Sequence, residues 1–139
     1  MPEVSGNSSP ASQESLREAL KRVAVALKDS GLPFALAGGY AAWARGAPEP
    51  DHDVDFMVPP EEASRVAESL QGQGLRIEQP PEDWLFKVFT DGAMVDVIHR
   101  PAGGVVDDGT LDRAQELEVL SVVMPVLAAT DVLVSKLCA

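Results

Sequence analysis

Three carboxylates in two apolar segments are the strongest candidates for a catalytic or metal-binding site. Asp53 and Asp55 lie two residues apart, at the start of a segment that continues through Phe56, Met57 and Val58. In a strand, residues i and i+2 point to the same face, so the two carboxylates would lie side by side. Adjacent carboxylates raise each other's pKa unless a cation lies between them, and a hard ion such as Mg2+ takes oxygen ligands. The alternative is a strand end with two solvated acids.

The third carboxylate, Asp96, lies inside the apolar segment 93–98, where an unpaired charge would be costly. If Asp91-Gly92 is the two-residue loop of a hairpin, Lys87 lies directly opposite Asp96 and on the same face. The two side chains could then form a plain cross-strand ion pair. Alternatively, Asp96 is a third metal-binding or base carboxylate, with Lys87 near enough to meet a phosphate.

Two glycines separate a predicted strand from a predicted helix. Gly38 and Gly39 follow the apolar segment 34–37 and precede the small-residue segment 40–45. Glycines at such a junction let backbone N–H groups approach an anion closely, although a plain turn needs them equally. The sequence contains neither a G-x-x-x-x-G-K-[ST] phosphate loop nor a G-x-G-x-x-G pattern.

The order of these features resembles the nucleotidyltransferase superfamily, which shares its fold with the catalytic core of DNA polymerase beta. The resemblance covers about residues 34–136 and rests on Ala37-Gly38-Gly39, then Asp53-Val54-Asp55, then Val95-Asp96-Val97. Within the superfamily, the chain resembles the small bacterial nucleotidyltransferases, a group that includes AbiEii-type and MenT-type toxins and aminoglycoside nucleotidyltransferases.

The resemblance implies metal-dependent transfer of a nucleoside monophosphate from an NTP to a hydroxyl, with release of pyrophosphate. Asp53 and Asp55 would hold Mg2+ (or Mn2+) and the triphosphate, and Asp96 would join the metal site and help to activate the acceptor hydroxyl. The acceptor could be a small molecule, a protein or an RNA. The predicted nucleotide-binding residues are Gly38, Gly39, Lys87 and Lys136. For Lys136, a solvent-facing helix lysine is an equal alternative.

The segment before the paired acids departs from the family pattern. Many relatives carry Arg and then Ser or Thr there, whereas this chain carries Glu49, Pro50, Asp51 and His52. We therefore expect no basic or hydroxyl group from this segment to meet the phosphates. A catalytically inactive nucleotide-binding or regulatory module on the same fold is the alternative function. A third hypothesis, a toxin-like enzyme acting on transfer RNA, predicts a basic patch that the sequence does not show.

The hydrophobic pattern predicts an α/β (α+β) fold, with a small mixed β-sheet flanked by helices. Apolar residues at spacings of three and four predict a helix from Ser12 to about Gly31. Further helices are predicted at 40–45, at 61–73 and from Thr130 onward. Strands are predicted at 34–37, 53–58, 75–78, 84–90 and 93–99. The segment 111–127 is ambiguous, and one interpretation is a helical turn followed by strand segments around 119–126.

Length and composition bound the remaining possibilities. The 139 residues suit one domain, and we expect a disordered leader at 1–12 and a nucleotidyltransferase-like domain at 13–139, truncated at its C-terminus. The net charge of −11 argues against broad binding to nucleic acid. No apolar segment approaches the ~20 residues that a membrane span needs, so we expect no membrane partner. One cysteine excludes an intramolecular disulfide and suits the cytoplasm. A homodimer could form if the cut end exposes an apolar element.

Overall fold

The computed structural model describes residues 12–80, 84–99 and 108–138, and in the last range it describes the side chains of residues 109–133. Five helices are present in these ranges: α1 (Gln13–Ser30), α2 (Gly38–Ala44), α3 (Ala63–Gly72), α4 (Asp108–Asp112) and α5 (Ala129–Cys138). A 3-10 turn at Pro60–Glu62 precedes α3. The predicted leader lies outside the described residues, except for Ser12 at its end.

Seven strands form one mixed sheet, in the spatial order β3-β4-β5-β2-β1-β7-β6. They are β1 (Ala35–Ala37), β2 (Val54–Met57), β3 (Arg76–Glu78), β4 (Leu85–Thr90), β5 (Ala93–Ile98), β6 (Gln115–Val119) and β7 (Val122–Val126). Two neighbouring pairs are parallel, β2 with β5 and β1 with β7, and the others are antiparallel. The predicted α/β class, a mixed sheet flanked by helices, is therefore confirmed.

Helix α1 builds the core by covering one face of the sheet. Ser12 caps its N-terminus by accepting a hydrogen bond from the backbone N–H of Ser15, and Gly31 ends it with a φ of 72°. The apolar residues on the inner face of α1 are buried together with alternate residues of β2, β4 and β5. The other residues of those strands therefore face away from α1. None of the described helices is long and apolar enough to cross a membrane.

The two hairpins differ in how far the sequence predicted them. Asp91-Gly92 forms the loop of the β4–β5 hairpin, with φ angles of 55° and 76°, and the predicted register is confirmed. The β6–β7 hairpin lies in the segment left ambiguous. Its loop is Leu120-Ser121, with φ angles of 52° and 69°, which residues with a side chain seldom adopt. Without an Asn-Gly or Asp-Gly signal, the local sequence did not mark this turn.

Candidate functional site

One row of residues crosses the sheet from β1 to β4 and contains two of the three predicted acids. The register places Ala37 opposite Asp55, Asp55 opposite Asp96, and Asp96 opposite Lys87. Directly opposed residues share a face, so the two carboxylates and the ammonium group lie in line on one side of the sheet. The pairing of β2 with β5 brings together residues that are 41 positions apart in the sequence (96 − 55).

The opposite face of the same strands belongs to the core. Val54 and Phe56 flank Asp55 along β2, and Val95 and Val97 flank Asp96 along β5; all four are fully buried. Burial of these neighbours holds both strands in register, because a slip of one residue would turn the acids into the core. The core face therefore fixes the side on which the carboxylates emerge.

The Asp55 carboxyl is the most perturbed acid of this face. Burial, together with the charges of Asp96 and Asp53, raises its pKa from 3.8 to about 7, and the charge of Lys87 opposes that rise only in part. Desolvation and like charges both penalise the ionised form. A cation placed against Asp55 would relieve both penalties, and strongly perturbed groups of this kind are typical of functional sites.

Gly38 lets the Asp55 carboxylate lie against the first turn of α2. Its φ is 64°, and a Cβ added there would lie 2.3 Å from Oδ2 of Asp55. A side chain at position 38 would therefore collide with the acid as well as strain the backbone. Gly38 and Gly39 are the first two residues of α2, so this helix begins earlier than the predicted start at residue 40. Their predicted contact with phosphate stays a prediction.

Lys87 and Asp96 form the cross-strand ion pair that the sequence offered as one alternative. The Lys87 Nζ donates to Oδ1 of Asp96 at 2.9 Å, and about a quarter of each side chain is exposed. Asp96 is thus held beside Asp55 by a cation from the next strand. The pairing itself does not test whether Lys87 also meets a phosphate.

Asp53 differs from the other two acids because it lies outside the described strand pairing. Strand β2 begins at Val54, one residue later than predicted, and Asp53 is an exposed residue directly before it. Its charge nevertheless contributes to the raised pKa of Asp55, which places it near that carboxyl group. Lys136 lies in α5, and its side chain is outside the described residues.

The three acids fit Mg2+ that arrives with a triphosphate better than a cage made by the protein alone. Within residues 12–80, 84–99 and 108–138, no group of three or more His, Cys, Asp or Glu side chains is arranged to hold a metal ion. Mg2+, however, is usually bound by one or two carboxylates together with water and substrate phosphates. The carboxylate oxygens of Asp55, with Asp53 or Asp96 beside it, match that donor set. A bound cation would also stabilise the ionised form of Asp55, which burial and the neighbouring acids disfavour.

Glu49 has a part in this region that the sequence did not reveal. Its carboxylate accepts hydrogen bonds from Nε and Nη2 of Arg17 and, at 2.8 Å, from the hydroxyl of Tyr40. The bond to Arg17 is the main cause that holds the pKa of Glu49 below its ordinary value. Arg17 lies 32 residues earlier on α1, so no local pattern could have signalled the pair.

Solved structures with a similar fold include proteins named as nucleotidyltransferases. A Thermotoga maritima protein described as a candidate nucleotidyltransferase has a TM-score of 0.69 at 15% identity, over 94% of this chain and 88% of that one. The antibiotic-resistance factor ANT(2'')-Ia has a TM-score of 0.64 at 17% identity, over 86% and 68%. The lincosamide antibiotic adenylyltransferase LnuA, with lincomycin bound, has a TM-score of 0.58 at 14% identity, over 91% and 86%. No protein-family model and no curated protein sequence matches the chain.

These likenesses carry the assignment of the fold. Sequence identities of 14–17% support a shared architecture and nothing more specific. The structural similarity extends over most of both chains in each comparison. The nearer relation to AbiEii-type and MenT-type toxins stays a prediction. With the glycine pair and the acid row in the predicted order along this architecture, the chain has the fold of the nucleotidyltransferases.

Proposed function

We propose that the protein is a metal-dependent nucleotidyltransferase that moves a nucleoside monophosphate from an NTP to a hydroxyl of a small molecule. The observation that carries the proposal is the direct pairing of Asp55 with Asp96 on parallel strands, with Gly38 against the Asp55 carboxylate. The fold supports it, since ANT(2'')-Ia was solved in complex with adenylyl-2''-tobramycin and LnuA is named an adenylyltransferase.

Asp53 and Asp55 would hold Mg2+ or Mn2+ together with the triphosphate. When bound, the metal supplies positive charge to the phosphate oxygens. The acceptor oxygen attacks the α-phosphorus, an O–P bond forms, and the bond from that phosphorus to the bridging oxygen breaks. Pyrophosphate leaves with the electron pair. Asp96 takes the hydroxyl proton, and the hydrogen bond from Lys87 holds its carboxylate in place.

The nucleotide would meet three further groups. Gly38 and Gly39 would line the phosphates at the start of α2, and Lys87 would meet a phosphate oxygen while it stays paired with Asp96. Lys136 on α5 would provide a second ammonium group. Each of these contacts is part of the proposal and can be removed by one substitution.

The acceptor would lie on the sheet face next to Asp96. Met94 and Phe89 are opposed in the β4–β5 register and share that face, and 40% of Met94 is exposed. The Arg76 guanidinium lies 4.9 Å from the centroid of the Phe89 ring. This surface suits a compact acceptor with an apolar face, and the net charge of −11 favours a cationic one. A cytoplasmic location would supply the NTP, and the homodimer stays a prediction.

The inactive module was suggested by Glu49 and Asp51. Glu49 is bound by Arg17 and Tyr40, so its carboxylate has a cationic partner and a hydroxyl partner. Glu49 therefore gives less support to an inactive protein than its charge suggested. Binding of an NTP without any transfer would favour that alternative.

The test is calorimetric titration of each of the four Mg-NTPs into the parent and into the Asp53→Asn/Asp55→Asn variant. We expect one NTP to bind the parent and its affinity to fall at least ~100-fold in the variant, since two charge-assisted contacts are lost. Asp91→Asn is the control, because this acid lies in the β4–β5 loop. Equal affinities of the parent and the double variant would refute the metal site.

A second arm separates binding from chemistry. In Asp96→Asn we expect the affinity for Mg-NTP to stay within a few fold and the transfer rate to fall by roughly 10²- to 10⁴-fold, as for loss of a general base. Transfer is followed by label from the α-phosphate, with tobramycin and lincomycin as the first acceptors. Transfer that is undiminished in Asp96→Asn would remove the role of this residue.

A further inference from the structure

We propose that Glu49 is a positioning residue, which together with Arg17 and Tyr40 fixes the chain segment 47–53 and thereby the carboxylate of Asp53. We call these three residues the Glu49 clasp. The inference rests on the proposed function, since it assumes that Asp53 serves Mg-NTP, and it adds a residue to which neither the family motif nor the acid row assigns a part.

The clasp joins three separate elements through one carboxylate. The two donors of Arg17 come from α1, with Nε at 2.8 Å from Oε2 of Glu49, and the Tyr40 hydroxyl comes from α2 at 2.8 Å from the same oxygen. The Glu49 side chain is 12% exposed and Tyr40 is fully buried. A bidentate Arg–carboxylate pair fixes direction as well as distance, so Glu49 has one orientation in this site.

Aromatic contacts fix Arg17 in turn. Its guanidinium carbon lies 5.6 Å from the centroid of the Trp43 ring, and that ring packs edge-on against Tyr40 at 5.4 Å between centroids. The arginine is therefore restrained from two sides, by the carboxylate and by the indole. Since Trp43 and Tyr40 both belong to α2, the clasp locks α1 against the helix that begins at Gly38.

The residue after Glu49 is held as well. Gln13 at the start of α1 donates to the backbone carbonyl of Pro50 at 3.1 Å. A Cβ added at Gly39 would lie 2.9 Å from Cβ of Pro50, so the proline packs directly on the first turn of α2. Anchoring at Glu49 and Pro50 leaves three residues before β2 begins at Val54, and the last of them is Asp53.

Asp53 needs such an anchor more than the other two acids do. Asp55 and Asp96 are positioned by the strand pairing itself, which starts at Val54 on β2. Asp53 lies just outside that pairing and is exposed. The Glu49 clasp restrains Asp53 through the residues that precede it, as strand pairing restrains Asp55.

A role in folding alone would be the competing explanation, and a double-mutant cycle distinguishes the two. The affinity for the tightest-binding Mg-NTP is measured by calorimetry in the parent, Glu49→Gln, Asp53→Asn and the double variant. If Glu49 acts through Asp53, Glu49→Gln weakens binding ~10-fold in the parent but less than ~2-fold in the Asp53→Asn background. An equal loss in both backgrounds would overturn the inference.

Asp91→Asn is a matched control for the loss of a paired carboxylate. Asp91 also accepts from an α1 arginine, Arg22, at 2.9 Å and from a hydroxyl, that of Thr90, at 2.9 Å, but it lies in the β4–β5 loop. We expect the affinity for Mg-NTP to be unchanged in this variant. Tyr40→Phe removes one donor of the clasp and is expected to weaken binding less than Glu49→Gln does.

Amide hydrogen exchange of the metal-free protein gives a readout that needs no nucleotide. We expect exchange of residues 51–53 to be faster in Glu49→Gln than in the parent, while exchange in β2 and β5 stays the same. Unchanged exchange at 51–53 would overturn the inference, whatever the binding data. If the parent binds no Mg-NTP, the proposed function fails, and faster exchange would still support the clasp as the restraint on Asp53.

Discussion

Two carboxylates six positions apart, Glu49 and Asp55, have opposite electrostatic environments. Glu49 accepts from Arg17 and Tyr40, and the arginine bond keeps its pKa low. Asp55 is partly buried next to two other acids, and burial is the first cause that raises its pKa to about 7. The protein environment thus favours the ionised carboxylate at Glu49 and disfavours it at Asp55.

This difference distinguishes a carboxylate that stabilises the fold from one that is a candidate for binding a ligand. A carboxylate that stabilises the fold is paired within the protein, as Glu49 is. A carboxylate buried beside like charges destabilises the folded state when it is ionised, so its retention calls for another explanation. Lys87 makes an ion pair with Asp96, and its charge offsets only part of the rise in the pKa of Asp55.

The prediction of greatest magnitude concerns both acids, because removal of charge at Asp55 and at Glu49 should change the free energy of unfolding in opposite directions. In the metal-free protein at pH 8, we expect Asp55→Asn to raise the free energy of unfolding by on the order of 3 kcal/mol, since the native acid is then ionised against its raised pKa. Glu49→Gln should lower it by about 1 kcal/mol, because its Arg17 partner is half exposed. Urea denaturation measures both.

The pH dependence follows from the same signs. A raised folded-state pKa means that the stability of the parent falls as pH rises from about 4 to about 7, the range between the unfolded and folded values of Asp55. Asp55→Asn should flatten that fall. The contribution of Glu49 has the opposite sense: it is present above the ordinary pKa of a glutamate and is lost as pH falls through its lowered value. A parent whose stability is level between pH 4 and 7 would contradict the assignment for Asp55.

Gly38→Ala is expected to have an intermediate effect, because the added methyl group would displace the Asp55 carboxylate from its partly buried position. The added Cβ would meet Oδ2 of Asp55 at 2.3 Å, and the φ of 64° disfavours any side chain. We expect a loss of about 1–2 kcal/mol in the free energy of unfolding, together with weaker binding of Mg-NTP. Gly31→Ala is the matched control, since that glycine also has a positive φ of 72° but no atom within 4 Å of an added Cβ. Equal losses of nucleotide affinity in both variants would argue against the contact with Asp55.

The smallest effect is expected from Lys87→Met. This change removes the cation that lowers the pKa of Asp55, so that pKa should rise further. The ion pair with Asp96 is about a quarter exposed, so the free energy of unfolding should fall by less than about 1 kcal/mol. Titration followed by carbon-13 NMR of the aspartate carboxyl groups checks the direction. A lower pKa of Asp55 in the variant would show that Lys87 has another role.

Much of the fold followed from local patterns. The helix α1, the β4–β5 hairpin with its register, and the pairing of Lys87 with Asp96 were predicted because each depends on spacing within a short segment. The β6–β7 hairpin was left ambiguous, since Leu120 and Ser121 adopt positive φ angles for which their types give no signal. The pairing of β6 with β7, and of β7 with the distant strand β1, decides the conformation of this loop.

The candidate site, too, was predictable only in part. Local sequence was enough to predict the acids, the alternation that turns Asp55 and Asp96 away from the core, and the glycine pair that precedes them. It did not predict the parallel pairing of β2 with β5, the room that Gly38 leaves for the Asp55 carboxylate, or the contact of Glu49 with Arg17, which depend on the packing of distant segments. Periodicity is a property of a few neighbouring residues, whereas burial, like-charge proximity and salt-bridge partners depend on which distant segments pack together.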